Sequence, residues 1–293
     1  MSALPNGLIT FGPSANCTLE LCPLEASILQ YQPSTAATAV AIAIFGLSLI
    51  LNIGQGVYHQ TWAFMACLVS GCILEIAGYI GRIIINGNPF DFNGFLMQII
   101  CITVAPIFFC AAIYVLLVRI ILLIDERLSR ISPRYLSWIF ISFDVISLVL
   151  QAVGGALSCV GENKDDIQVG TDISLAGLIF QVVTLTLFVA LFVDYLSACR
   201  QYSNHKALTR QMNFFLSFLF LSILLILLRC VYRVVELHGG YFSHFFRDEP
   251  LFIALETAIM CAAAVCLNVG HPGLIFGRRK GDPIHREAQH ALL

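Results

Sequence analysis

The chain has 293 residues, of which 58% are hydrophobic and only 12% charged, and its net charge is −2. A soluble domain carries roughly 25% charged residues, so this composition excludes a water-soluble globule and points to an integral membrane protein. The near-neutral balance, with no zinc-finger, helix-turn-helix or RNP-type pattern, removes nucleic acid as a partner.

Residues 1–33 contain neither Lys nor Arg and no long apolar core, which does not read as a cleavable signal peptide. They are expected to form an extracellular segment, with the first apolar span directing insertion. The triplet "NCT" makes Asn16 a glycosylation candidate. Cys17 and Cys22 are candidates for a short-loop disulfide on an oxidising side of the membrane, with Cys159 as the competing partner. The other eight cysteines fall in or beside apolar spans, where they read as small buried hydrophobes.

Seven apolar stretches then follow, at 34–56, 61–84, 94–124, 134–157, 172–198, 212–237 and 250–274. Each is long enough to cross a bilayer, which takes about 20 helical residues. The expected fold is therefore all-α: one membrane domain of seven helices over 34–275, followed by a tail at 276–293. Ser132 and Pro133 read as the cap and first residue of the fourth helix. Pro106 falls inside the third span, where it is expected to kink the helix.

Orientation follows from Lys and Arg. Of the 16 basic residues, ten lie in alternate connectors and the C-terminal tail: Arg127, Arg130, Arg134, Arg200, Lys206, Arg210, Arg278, Arg279, Lys280 and Arg286. The opposite set holds only Lys164 and Arg247, and the remaining four are inside spans. The N-terminus is thus expected outside and the C-terminus in the cytoplasm.

Charges inside spans are costly, by roughly 2.5–3.5 kcal/mol each on insertion scales, yet several are present. Glu75, Tyr79 and Arg82 recur at i, i+4 and i+7, as do Arg229, Arg233 and Glu236. Glu75, Arg82, Arg229, Arg233 and Glu236, with Asp144, Gln151, Gln181 and Glu256, are expected to gather in the outer half of the bundle. Such a cluster has two readings. One is a register-setting ionic network; the other is a polar cavity that receives a ligand. Three arginines face four carboxylates, a balance suited to a cationic amine, with Asp144 and Glu256 the leading acids and Gln151 and Gln181 hydrogen-bonding the headgroup. The arginines of the sixth helix are expected to pair with Glu236 within the helix and with Glu75 or Glu256 across it. Pro106 and Gly154–Gly155 are expected points of flexibility.

Several segments together resemble the fungal RTA-like, lipid-translocating exporter family: "YQPS" at 31–34, "GCILEIAGYIGR" at 71–82, "VAPIFFCAAIYVLLVR" at 104–119, "FDVISLVLQAVGGAL" at 143–157, "AGLIFQ" at 176–181, "LLRCVYRVVE" at 227–236 and "HPG" at 271–273. The resemblance implies a seven-helix fungal protein, often of the plasma membrane, without a nucleotide-binding domain. It implies export or flipping of sphingoid long-chain bases, resistance to toxic amphiphiles or, in one branch, porphyrin uptake. The chain departs from the family at "LFIALETAIM" (251–260), where Glu256 stands in place of an expected aspartate.

The expected function is accordingly translocation of a membrane lipid or other amphiphile, without enzymatic activity, cofactor or metal. A receptor or sensor of lipid state is the alternative. The span count fits it, but the third helix runs into "VRIILLIDER" instead of a DRY-like triplet and no NPxxY follows. An intramembrane metal hydrolase is a lesser alternative. It needs about three convergent ligands, and the topology scatters His59, His205, His238, His244 and His271 between the two faces. No Walker motif is present, so nucleotide hydrolysis within this chain is not expected to drive transport.

Overall fold

The computed structural model describes residues 8–10, 12, 15–27, 29–124, 132–160, 164–202, 210–239 and 248–273. Most of the basic connector residues and the whole of 276–293 lie outside them. Seven helices are long and apolar enough to span a membrane: α1 (Thr35–His59), α2 (Trp62–Gly87), α3 (Phe92–Ile124), α4 (Pro133–Val160), α5 (Lys164–Tyr202), α6 (Arg210–His238) and α7 (Glu249–Val269). The protein is an all-helical integral membrane bundle.

Local chemistry explains where the helices begin and end. Ser34 caps α1, its side chain accepting from the Ala37 N–H at 3.4 Å. The helix stops at Gln60, whose left-handed backbone (φ 56°) turns the chain directly into α2. Helix α4 begins at Pro133, as expected for a proline that has no N–H to leave unpaired. Helix α5 begins at Lys164 instead of the expected 172. The extra turns are polar, so they carry no hydropathy signal. Asp165 and Asp166 complement the helix N-terminus, and Gln168 Nε2 donates to Asp172 at 2.9 Å one turn along.

The helices divide their faces by polarity. On α6, Leu221, Leu228 and Val235 form an exposed stripe at heptad spacing, while Ser222, Arg229, Arg233 and Glu236 are buried on the other side. Tyr114 of α3, Phe140 of α4 and Phe188 of α5 interlock edge to face, with centroids 4.5 Å apart for Tyr114–Phe188 and 5.2 Å for Phe140–Phe188.

Helices α4 and α5 approach closely through small residues. A Cβ on Gly154 would lie 2.5 Å from the Gly170 carbonyl oxygen, and one on Gly177 would lie 2.9 Å from that of Ser147. Gly154 is therefore a contact point between helices. Its surroundings do not fit the flexible position expected of it.

One end of the bundle is capped by the N-terminal segment. Cys17 and Cys22 form a disulfide with Cα atoms 5.7 Å apart, buried beside Phe90. The Cys159 side chain lies outside the described set. Asn16 is exposed, and its Oδ1 accepts from the Ile9 N–H at 2.8 Å. Leu29 and Tyr31 pack on Ile85, Phe95 and Ile99. Asn86 Nδ2 donates to the Pro33 carbonyl at 2.6 Å, tying the segment to the end of α2.

Candidate functional site

The buried charges fall into separate groups, beginning at the capped end. Arg82 of α2 pairs with Glu249 and not with Glu75. Its Nη2 donates to Glu249 Oε1 and to the Tyr31 hydroxyl, both at 3.2 Å. The Phe252 ring lies 4.2 Å from the guanidinium carbon, a cation–π contact. The same Glu249 oxygen accepts the Ser34 N–H at 2.6 Å. One ion pair thereby joins α2, α7 and the N-terminal segment. Burial pushes the Tyr31 phenol above its ordinary value, and Arg82 opposes that shift, so Tyr31 stays neutral. Neither Glu249 nor Tyr31 was singled out from the sequence. The available signal was an acid in the first turn of the seventh span, at the depth of Arg82.

Below this pair, Arg233 Nη1 donates to Glu236 Oε2 at 2.5 Å, the expected contact within α6. Both residues line a cleft with Leu29, Tyr31, Gln98, Ile99, Ile102 and Phe252. The cleft is small and partly open, with room for about one water molecule. It therefore has apolar walls and ionic groups together. Gln98 is buried, and its Oε1 has no hydrogen-bond partner among the described residues.

Arg229, 0% exposed, lies one turn from Arg233. Its Nε and Nη2 both donate to Glu256 Oε1, at 2.9 and 2.5 Å, and Nη2 also donates to the Ile102 carbonyl at 2.8 Å. The last acceptor has a covalent origin. Pro106 has no N–H, so the carbonyl four residues earlier loses its helical partner, and Arg229 takes that place. Helix α3 continues through Pro106. On α7, residues Phe252–Ala258 form a π turn that carries Glu256. Such turns insert one residue and re-aim the side chains around them.

Glu75 is also fully buried, yet neither carboxyl oxygen has a hydrogen-bond partner among the described residues. It faces Arg229 and Glu256. Of the two acids expected to pair across the bundle, Glu256 takes Arg229, and Glu75 accepts no hydrogen bond from either Arg229 or Arg233. Asp144 stands apart from these groups, beside the Tyr114 hydroxyl with Cys110 and Cys230 nearby.

Gln151 and Gln181 belong to a different seam. Gln151 Nε2 donates to Gln181 Oε1 at 3.1 Å and to Ser147 Oγ at 2.8 Å. Ser147 Oγ donates to the Gly177 carbonyl at 2.9 Å. These groups join α4 to α5, and neither glutamine bonds to the acids. Thus Arg229, Arg233, Glu236, Glu256 and Glu75 come together; Arg82 lies above them, Asp144 to one side, and the glutamines elsewhere. Among the described residues no three His, Cys, Asp or Glu side chains converge as a metal site would require. His205 and His244 lie outside that set.

The family model described as RTA1 like protein matches residues 68–279. The chain belongs to the RTA1-like family. This match runs from α2 through α7 and includes every buried ion described above. RTA1-like relatives in Saccharomyces cerevisiae include the sphingoid long-chain base transporter RSB1, 31% identical over 86% of this chain and 75% of the relative. Protein RTM1 is 29% identical over 78% and 74%, respectively. Protoporphyrin uptake protein 1 is 30% identical over 69% and 66%. No solved structure matches the chain.

Proposed function

We propose that this protein translocates a single-chain or similarly slender amphiphile with a cationic amine headgroup, of the sphingoid long-chain base type, and that it does so without chemical conversion. The observation that carries the reading is the cleft at the capped end. Its walls of Leu29, Ile99, Ile102 and Phe252 suit a hydrocarbon chain, and Arg233 and Glu236 suit a polar head. Ile102 links the cleft to the Arg229–Glu256 pair through its carbonyl. The Glu256 Oε2 atom has no hydrogen-bond partner among the described residues and is the acceptor we assign to the amine. An amphiphile enters sideways from the leaflet, so no continuous aqueous pore is needed. The relative named a sphingoid long-chain base transporter supports the substrate class.

In this reading residues 1–33 face the outside, 34–275 form the translocating bundle and 276–293 are cytoplasmic, in a protein of the plasma membrane. Asn16 then faces the compartment in which glycosylation occurs. Asp144 remains a second carboxylate for the amine, deeper along the path. Gln151 and Gln181 are better explained as links between helices than as headgroup ligands. The test is equilibrium binding of a fluorescent long-chain amine to purified protein. Wild type binds saturably, a short-chain amine fails to compete, and Glu256→Gln weakens binding about tenfold or more, the loss of one charge-assisted hydrogen bond. Equal competition by a long-chain alcohol lacking the amine would contradict a cationic headgroup.

A further inference from the structure

The charge count around Arg229 does not close. One guanidinium faces two carboxylates, Glu256 and Glu75. Glu256 holds the guanidinium through two donors, whereas Glu75, at 0% exposure, accepts from none among the described residues. Arg229 Nη1 likewise has no acceptor there. Asp144, the other buried acid outside an ion pair, has the Tyr114 hydroxyl beside it; Glu75 has no comparable donor. A second buried negative charge that accepts no hydrogen bond and shares its one facing cation with Glu256 is not sustainable.

Other groups around Glu75 do not supply a cation. On α2 it is flanked by Cys72 and Tyr79, from α3 by Cys101, and from α7 by Glu256 and Cys261. Arg229 of α6 is the cation that faces it. From α1, Ser48 hydrogen-bonds Cys72.

We propose that Glu75 is a proton-binding site, and that Arg229 exchanges between Glu256 and Glu75 when a cationic amine binds. The step balances. At rest, Glu75 carries a proton and Arg229 neutralises Glu256. An incoming ammonium takes Glu256; the guanidinium turns its unused Nη1 edge to Glu75; the Glu75 proton is released to the solvent. One positive charge enters and one leaves, so the buried layer keeps its net charge. The guanidinium that must move is held by one carboxyl oxygen on the π turn and by the carbonyl released at Pro106, with its Nη1 uncommitted. Amine movement in one direction is thereby coupled to proton movement in the other.

This inference rests on the amine reading above, and its test separates the two. Long-chain amine is added to purified protein in weakly buffered solution at neutral pH, where the amine already carries its own proton. Wild type is expected to release about one proton per amine bound, and Glu75→Gln to bind amine without release. Amine binding by wild type with no proton release, or unchanged release from Glu75→Gln, overturns the proton site and leaves the amine reading standing. If wild type binds no amine, the amine reading fails, and infrared spectroscopy still decides Glu75. A protonated-carboxyl C=O band in wild type that disappears in Glu75→Gln supports the site; absence of the band in wild type overturns it. Should Glu75→Gln give no folded protein, Glu75→Asp replaces it, and the band must then shift in frequency; an unshifted band overturns the assignment.

Discussion

Arg229 shows how a single side chain organises several helices. It begins on α6 and reaches Glu256 on α7 and the Ile102 carbonyl on α3. A guanidinium suits this position because its donors form a fixed fork. Removing one partner leaves the other buried and unpaired, at a cost of roughly 3–5 kcal/mol. Arg229→Leu and Glu256→Leu should each strongly reduce the yield and thermal stability of folded protein. The double change should recover a large part of the loss, because apolar replacement of a whole buried pair is often neutral. Thermal unfolding in detergent checks this, and strictly additive losses would mean that the two do not stabilise each other. The presence of buried ions on α6 was legible in the spacing of Arg229, Arg233 and Glu236. The choice of partner was not. It depends on how α7 is rotated, and the π turn at Phe252–Ala258 that sets this rotation leaves no pattern in "FIALETA".

At the scale of elements, the α4–α5 hairpin separates packing from binding. Gly154 and Gly170 let the backbones meet, and Ser147, Gln151 and Gln181 bond across the gap. Gly154→Leu should overpack this contact and destabilise the protein by at least 1–3 kcal/mol, about the usual cost of forced core insertion. The pair Gln151→Leu with Gln181→Leu should lower stability by about 1–2 kcal/mol and leave amine affinity unchanged. An amine titration of the folded variant checks the second half, and a large loss of affinity would return the glutamines to the headgroup site. Their place was hard to read from sequence because a polar residue in a span looks the same whether it faces a ligand or a neighbouring helix. The spans themselves were legible, since long apolar runs have few alternatives in water or lipid. The first turns of α5 were missed because a helix can outlast its apolar stretch.

The opposite end of the bundle is expected to have its own pH response. His271 follows α7 and is buried against Phe64 and His59. Burial, and secondarily His59, lowers its pKa from 6.5 to about 4. The unfolded chain then binds the proton more readily than the folded one, so this contribution is intact above about 6.5 and is lost as the pH falls toward about 4. Replacing His271 with Phe should flatten the decline in thermal stability across that window. An unchanged slope would show that His271 is not the group responsible.

For the whole molecule, membrane orientation and transport are one question, because a translocator needs its cleft on a defined side. The ten-to-two division of basic residues predicts that the N-terminal cap lies outside. A cysteine introduced at position 205 should react with a membrane-impermeant reagent only after cells are permeabilised; labelling of intact cells would invert the topology. On that prediction, the N-terminal segment, held to Glu249 and Arg82 through Ser34 and Tyr31, lines the outward side of the cleft with Leu29 and Tyr31.

The most direct measurement is movement of a fluorescent long-chain amine across liposomes containing the purified protein. Wild type should move it at least about tenfold faster than protein-free liposomes, a barrier difference of about 1.4 kcal/mol. Folded Glu256→Gln should lose most of that acceleration. Wild-type liposomes that move the amine no faster than empty ones would contradict translocation as the function of this bundle.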